Sequence, residues 1–513
     1  MSPPEAGAMG PVRQLASAAA LLFCAACAPL GPEFQEPESD WLATWQPTLY
    51  GQVTDPDPAW EAALTQWWQR FEDPRLAALI DHARRANPGL RSAGLRVLEA
   101  RAALGIASGN RYPQRQRIEG SAAVAGVDNS AGLDPDRTDT SASLGLSLAW
   151  ELDFWGRFRR AVESAEAASF ATITAQRDAQ LLLTAEVAAR YYGYKTTLRR
   201  IRVARQNVAV QARSLEITTR LFDEGQTAEL DLQQAKVQYL STRAGIPSLE
   251  IALARQRNAL AALLGRPPGD IPGLDTIDDS LPAVAPQAIP ALPARLLARR
   301  PDVRTAAWQA AAQSARIGIA AAELYPAIGL AGSIGWSGSS LALAPDRTVL
   351  AAGPTLRWNI LNYGRLENAV RIEDARLQQA LEGYRAAVLT AAREIDDAAV
   401  QVVKTAERQG DLDASLTAAE RSLALATRRY QEGYSGFQRV LDAQRALAAQ
   451  ADRAIGNQGD HLQAVIRLYA ALGGGWETAT ADTLLPAETQ EALRARGAWD
   501  KHLDAAPAEP HEP

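Results

Sequence analysis

"WELDFWGR" at 150–157 and "WNILNYGR" at 358–365 decide the fold of this chain. Trp150, Gly156 and Arg157 in the first stretch return as Trp358, Gly364 and Arg365 in the second, an interval of 208 residues. Downstream, Phe222 and Gly225 in "RLFDEGQ" return as Tyr430 and Gly433 in "RRYQEGY" after the same 208 residues. Upstream, Tyr112-Pro113 returns as Tyr325-Pro326 after 213 residues. Landmarks that recur in one order at nearly one interval make the chain two copies of a single unit.

Each unit mixes two periods. In 143–152, Leu144, Leu146, Leu148, Trp150 and Leu152 alternate with Ser143, Gly145, Ser147, Ala149 and Glu151. In 328–336, Ile328, Leu330, Ile334 and Trp336 share one face, opposite Gly329, Ala331, Ser333 and Gly335. Leu356, Trp358 and Ile360 alternate over 355–360, and a weaker alternation runs over 117–124. A period of two gives strands. Large apolar residues opposite small or polar ones fit strands with lipid outside and water inside. A soluble, half-buried strand pair has the same period. Trp at the strand ends favours the membrane, because aromatic rings settle at its interface. The Gly-, Ser- and Asp-rich segments near 129–140 and 337–349 read as surface loops.

Two hairpins, about 115–152 and 326–361, give four strands per chain. The smallest closed barrels have about eight strands. An open edge in lipid leaves backbone groups unpaired at several kcal/mol each. Strands in a membrane therefore require several chains in one barrel, and eight strands from two chains or twelve from three both close it.

The helical period fills the rest. Phe158–Phe222 has no Pro, and neither has Leu366–Tyr430. Runs of this length span roughly 95 Å as continuous helix. In the second run Leu377, Leu381, Tyr384, Val388, Ala392, Ile395, Ala399 and Val402 step by three or four, a seam that drifts little. Each long run stops at a Gly, 225 or 433, and a shorter run returns over 227–264 or 437–472. Gly is a normal helix stop. An ordinary long coiled coil shows the same periodicity.

Net charge is −6, from 53 basic and 59 acidic residues, which gives no broad basic face for nucleic acid. The two Cys, Cys24 and Cys27, sit near the N-terminus, so no disulfide or Cys-based metal site is expected in the body. Four scattered His have no ligand spacing, and His82 and His461 lie in helical contexts without evident partners. Arg13 before the apolar run Leu15–Phe23 reads as an export signal, with Met1 and Met9 both open as the start. Ala25-Ala26 before Cys27 resemble a lipoprotein processing site. A covalent lipid on Cys27 is the expectation, and a plain signal peptide with an incidental Cys is the alternative.

Several stretches together carry a family resemblance. They are "CAPLGPEFQEP" from Cys27, "WWQRFEDPRLAALIDHA" at 67–83, "ELDFWGR", "RRPDVRTA" at 299–306, "AELYPAIGL" at 322–330 and "RYQEGYSGFQRVLDAQRAL" at 429–447. In their order and duplication the chain resembles the outer-membrane efflux channels of the TolC type, in the lipoprotein branch typified by OprM and NodT. The resemblance covers about 28–477. It implies an α+β membrane protein of two internal repeats, forming a homotrimer with a twelve-stranded β-barrel in the outer membrane. A long α-helical barrel would cross the periplasm below it.

The division this implies is a signal peptide over 1–26 and a lipidated extended arm and equatorial segment over 27–66. A first repeat covers 67–264, an equatorial link 265–292, and a second repeat 293–477. An equatorial end and a disordered tail, Ala/Pro-rich beyond about 485, cover 478–513. The resemblance places a periplasmic gate at Asp442, with Arg445 three residues on as its partner. Gln234 occupies the equivalent first-repeat position, and Arg439 stands where some relatives carry a second acid. It also places adaptor-docking tips at Leu221, Phe222, Gly225, Tyr430 and Gly433. The implied partners are two further copies of the chain, a periplasmic adaptor protein, an inner-membrane efflux pump and outer-membrane lipid.

The leading function is a passive exit duct of a tripartite efflux system, with no catalysis and no cofactor beyond the lipid. Its cargo and pump class are not encoded in these motifs. The alternative is a coiled-coil periplasmic lipoprotein scaffold without a pore. An enzyme finds no support: nucleophile elbow, phosphate loop and metal cluster are all missing, and Asp396-Asp397 point apart on their helix.

Overall fold

The computed structural model describes residues 29–36, 48–52, 63–127, 137–269, 271–274, 276–284, 297–339, 346–478 and 480–504. The signal-peptide and lipid expectations at 1–28, Cys24 and Cys27 included, lie outside these residues, as do most of the arm and the last residues of the tail.

The first repeat runs α1 (Pro74–Ala86), α2 (Pro88–Gly109), β1 (Arg115–Val127), β2 (Arg137–Glu151), α3 (Arg157–Asp223) and α4 (Glu229–Leu263). The second runs α5 (Pro301–Ala322), β3 (Ala327–Gly338), β4 (Arg347–Arg357), α6 (Arg365–Gln431) and α7 (Gln438–Ala471). Three short helices, α8 (Ala481–Leu484), α9 (Ala487–Arg496) and α10 (Asp500–Leu503), follow. α3 and α6 have 67 residues each and begin and end 208 residues apart, so each is roughly 100 Å long. α2 and α5 have 22 residues each and lie 213 apart. The interval thus shortens by five residues across the hairpins, and the first hairpin is the longer by that amount.

The four strands form one antiparallel sheet in the order β1-β2-β3-β4. Ile118, Leu146, Ile334 and Leu350 lie side by side across it, and Arg117, Ser147, Ser333 and Ala351 fill the next row. Successive rows face opposite ways, so one face is apolar and the other small and polar. The apolar face is bare: Leu144, Leu146, Leu148, Leu330 and Leu356 are exposed, and Leu350 is 77% exposed. On the polar face Arg117 pairs with Glu119 at 2.8 Å, and Ser121 shares a hydrogen bond with Ser143 at 2.8 Å. β1 and β4 are edges with no strand partner among the described residues. Among the described residues no helix is long and apolar enough to cross a membrane.

The last strand differs from its expectation. β4 covers 347–357, not 355–360, so Arg347–Val349 belong to the strand and Trp358 and Ile360 follow it. The neighbours Val349 and Leu350 break the alternation, and Pro354 reads as a strand breaker although an edge strand tolerates it. The C-terminal segment differs too. Disorder was expected beyond about 485, yet α9 and α10 are ordered helices. Leu485, Leu493 and Leu503 bury against Val97, Leu98 and Phe170. Four buried leucines (Leu484 among them) outweigh an Ala/Pro-rich average.

The main core lies at the waist. Trp67 is fully buried and stacks on Tyr469 with ring centroids 5.3 Å apart. Phe71 stacks on Tyr192 at 5.1 Å. Asp73 caps α1 through the amides of Arg75 and Leu76 and also accepts from the Tyr191 hydroxyl at 2.9 Å. The α6 seam lies in this core as its spacing suggests, with Ile395, Ala399 and Val402 buried and Leu381 half-buried. His461 is not partnerless. Its ring nitrogens meet Thr405 Oγ1 and the Val284 carbonyl, each at 2.8 Å, and so join α7 to α6 and to the link.

Residues 29–36 lie in the groove between α3, α5 and α6. Arg160 Nε donates to the Leu30 carbonyl at 2.9 Å, and the Tyr384 hydroxyl donates to Glu36 at 2.9 Å. Gly318 admits the arm: a Cβ there would stand 2.3 Å from the Leu30 carbonyl oxygen.

Candidate gate and docking tips

Both long helices end in the same hydrogen-bonded turn. After α3, the amides of Gly225 and Gln226 donate to Phe222 and Leu221 carbonyls at 2.9 and 2.7 Å. After α6, those of Gly433 and Tyr434 donate to Tyr430 and Arg429 at 3.0 and 2.8 Å. The glycines have φ of +72° and +77°, a left-handed conformation that side chains resist. A Cβ at either would meet nothing within 4 Å, so backbone conformation alone requires Gly there.

The tips differ in what surrounds the turn. At the first, Phe222 is exposed and Leu221 half-exposed. At the second, Tyr430 packs against Phe437 with centroids 5.2 Å apart, over a small core of Val440, Leu441 and Ala235. Burial and the nearby Asp231 push the Tyr430 hydroxyl above its ordinary pKa. Tyr430 is therefore largely a packing residue, and an exposed aromatic of this tip is Tyr434, inside the expected tip segment 430–436 though not singled out there. Ala235 belongs to α4, so this small core joins the two hairpins.

Asp442 lies one turn into α7. It accepts from Gln438 at 3.0 Å, and Arg445 Nη1 is 3.5 Å from its Oδ1. The structure brings the two expected gate residues together, both well exposed. Arg445 also has a stronger partner: its Nε donates to Gln238 Oε1 on α4 at 2.6 Å. Beside it, Gln444 donates to Ser214 on α3 at 2.8 Å. Further up, Arg200 on α3 clasps Asp452 on α7 with two bonds of 2.7 and 3.0 Å. These three polar ties fasten α7 to the first hairpin. No sequence signal marks them, because periodicity names the face of a helix and not its neighbour. Among the described residues no group of three or more His, Cys, Asp or Glu could hold a metal.

An apolar-backed sheet with two open edges, set above paired helices roughly 100 Å long, defines an outer-membrane duct that reaches into the periplasm. The chain belongs to the outer membrane efflux protein family, whose profile matches residues 79–266 and again 292–474. It is 29% identical over 473 residues to the probable outer membrane lipoprotein SilC of Salmonella typhimurium, covering 90% of this chain and 99% of that protein. It is 30% identical to the solvent efflux pump outer membrane protein SrpC of Pseudomonas putida, over 89% of this chain and 97% of the other. The solved structure of the outer-membrane channel OprN superposes with a TM-score of 0.75 at 29% identity, over 87% of this chain and 99% of that one.

The protein is thus an outer-membrane exit duct of an efflux system. Each chain contributes four strands to a twelve-stranded barrel that three copies close. The scaffold alternative falls with this result.

Proposed function

We propose that the duct is passive, with no catalysis of its own, and that α7 gates it at the periplasmic tip. The observation that carries this reading is the set of polar ties from Arg445, Gln444 and Asp452 to the first hairpin. All three must release for α7 to swing away. Each is exposed or part-buried, and exposed pairs contribute only about 0.2–1 kcal/mol. A docking partner can therefore supply the opening energy. Three copies of Asp442 around one axis would draw cations into the constriction. Arg445 offsets their mutual repulsion.

In this reading a periplasmic adaptor docks on the tips through Leu221, Phe222 and Tyr434, with Gly225 and Gly433 shaping the turns and Tyr430 supporting the second from beneath. An inner-membrane pump supplies the energy and selects the cargo. A lipid on Cys27 ties the chain to the outer membrane. Single-channel conductance in planar bilayers tests the gate, with the native protein beside Asp442→Ala and the pair Arg200→Ala/Arg445→Ala. We expect a small native conductance, a several-fold rise in the double variant, and weaker cation preference in Asp442→Ala. Equal conductance and selectivity in all three would remove the gate from this hairpin.

A further inference from the structure

Two joints between strand and helix should be alike, and within one chain they are not. After β2, the WELDFWGR loop is covered. Trp155 stacks on Tyr325 with centroids 4.6 Å apart, and its Nε1 donates to the Pro326 carbonyl at 2.9 Å. The loop of the first repeat thus rests on the Tyr-Pro of the second. After β4, the WNILNYGR loop lies bare. Ile360 and Leu361 are exposed, and Tyr363 is 94% exposed. Tyr363 also has φ of +50°, a conformation that a bulky residue adopts only when held. The Tyr-Pro of the first repeat is equally bare, with Tyr112 70% exposed.

We infer that Tyr363 of one protomer seats on Tyr112-Pro113 of the next, as Trp155 seats on Tyr325-Pro326 within the chain. The inference deepens the trimeric barrel by naming its joint. Both Tyr-Pro sites are already positioned alike. Trp150 Nε1 donates to the Arg111 carbonyl at 3.3 Å, and Trp358 Nε1 donates to the equivalent Leu324 carbonyl at 3.0 Å. The helices agree. α5 packs against both long helices, α3 and α6, whereas its counterpart α2 meets only α3 of the two. The other contacts of α2 among the described residues are with α1 and the C-terminal segment, so the place of a second long helix is left for the α6 of another copy.

The strand register agrees as well. Ala149 and Arg357 are equivalent, so their hairpin partners Arg115 and Ala327 are equivalent too. Carrying the β2–β3 pairing over to β4 and the next copy's β1 sets Trp358 opposite Ile118 and Arg357 opposite Glu119. Apolar meets apolar on the lipid face, and opposite charges meet on the water face. A register wrong by one residue would break both matches. The joint has one occupant by this argument: a second copy of this chain, with the continuous β4–β1 seam beside it.

The test is cross-linking in outer-membrane vesicles with a short bis-maleimide. Tyr112→Cys/Tyr363→Cys is compared with each single variant, while native mass spectrometry reports the assembly. The expected result is covalent dimers and trimers in the double variant and none in the single ones. Trimers by mass without cross-links in the double variant would overturn this joint and leave the barrel standing. Monomers by mass in the unsubstituted protein would overturn the trimer itself. As a second measure, Tyr363→Ala should lower the temperature at which trimers dissociate, and Tyr363→Trp should restore it. No shift with Tyr363→Ala would also reject the joint.

Discussion

The two helical hairpins have nearly the same length and the same turns, yet they are built for different work. α4 buries little beyond Ala235, Leu260 and Ala261 within the chain, whereas α7 buries residues over 440–444 and again over 454–471. The first tip has Glu229 and Gln233 where the second has Phe437 and Leu441. The start of α4 is thus polar where the start of α7 is apolar. The second hairpin is joined to the first by a small core that takes in Ala235 and by polar ties at its side. Duplication supplies the tube, and on the gating proposed above divergence at a few positions makes one half the moving part.

The comparison breaks most directly at the tip core. Leu441→Ala removes a fully buried side chain and should destabilise the second tip by about 2–4 kcal/mol. The equivalent Gln233→Ala should be near neutral. Amide hydrogen exchange at residues 423–445 and 215–237 reads both, and equal loosening would erase the distinction between the tips.

A half-buried acid separates the repeats higher up. Asp178 of α3 has Ala386 as its counterpart on α6. Burial, with Asp302 and Glu394 nearby, raises its pKa to about 6 despite Arg300. A raised folded pKa favours the protonated form. The native state is therefore best served below pH 4 and loses stability as pH climbs from about 4 to 6. Asp178→Asn should gain roughly 1–2 kcal/mol at pH 7.5 after allowance for solvent screening, and nothing below pH 4. Thermal melts at the two pH values check the sign, and a gain at both would place the effect in packing.

Gly225→Ala and Gly433→Ala should each cost roughly 1 kcal/mol, because both glycines are left-handed with open space around them. Unequal losses would mean that one turn is braced by more than its backbone. The smallest effect is expected at the ties. Arg445→Ala should change stability by less than about 1 kcal/mol while raising conductance measurably. A large stability loss would make it a structural residue.

Much of the architecture was legible before any coordinates. The repeated WELDFWGR and WNILNYGR gave the duplication, and uninterrupted helical spacing gave α3 and α6 nearly to the residue. Alternation marked β2 and β3, because each has bulky residues on one face and Ser or Gly on the other. β4 was misplaced where Val349-Leu350 and Pro354 blur that pattern. Asp442 and Arg445 came from a resemblance and do lie together. The bond from Arg445 to Gln238 joins residues on separate helices, and no local pattern records such a pairing. Tyr430 was chosen for its place before Gly433, yet only packing reveals that Phe437 holds it and that Tyr434 faces solvent.

The arm at 29–36 carries a consequence for how the molecule is made. Its contacts reach Ser314 and Tyr384, so the first described residues join to partners hundreds of residues later. Loops of that span close slowly, and their partners must exist first. The arm cannot settle until α3, α5 and α6 have formed its groove, and the start of the polypeptide becomes the last piece of the protomer to find its place.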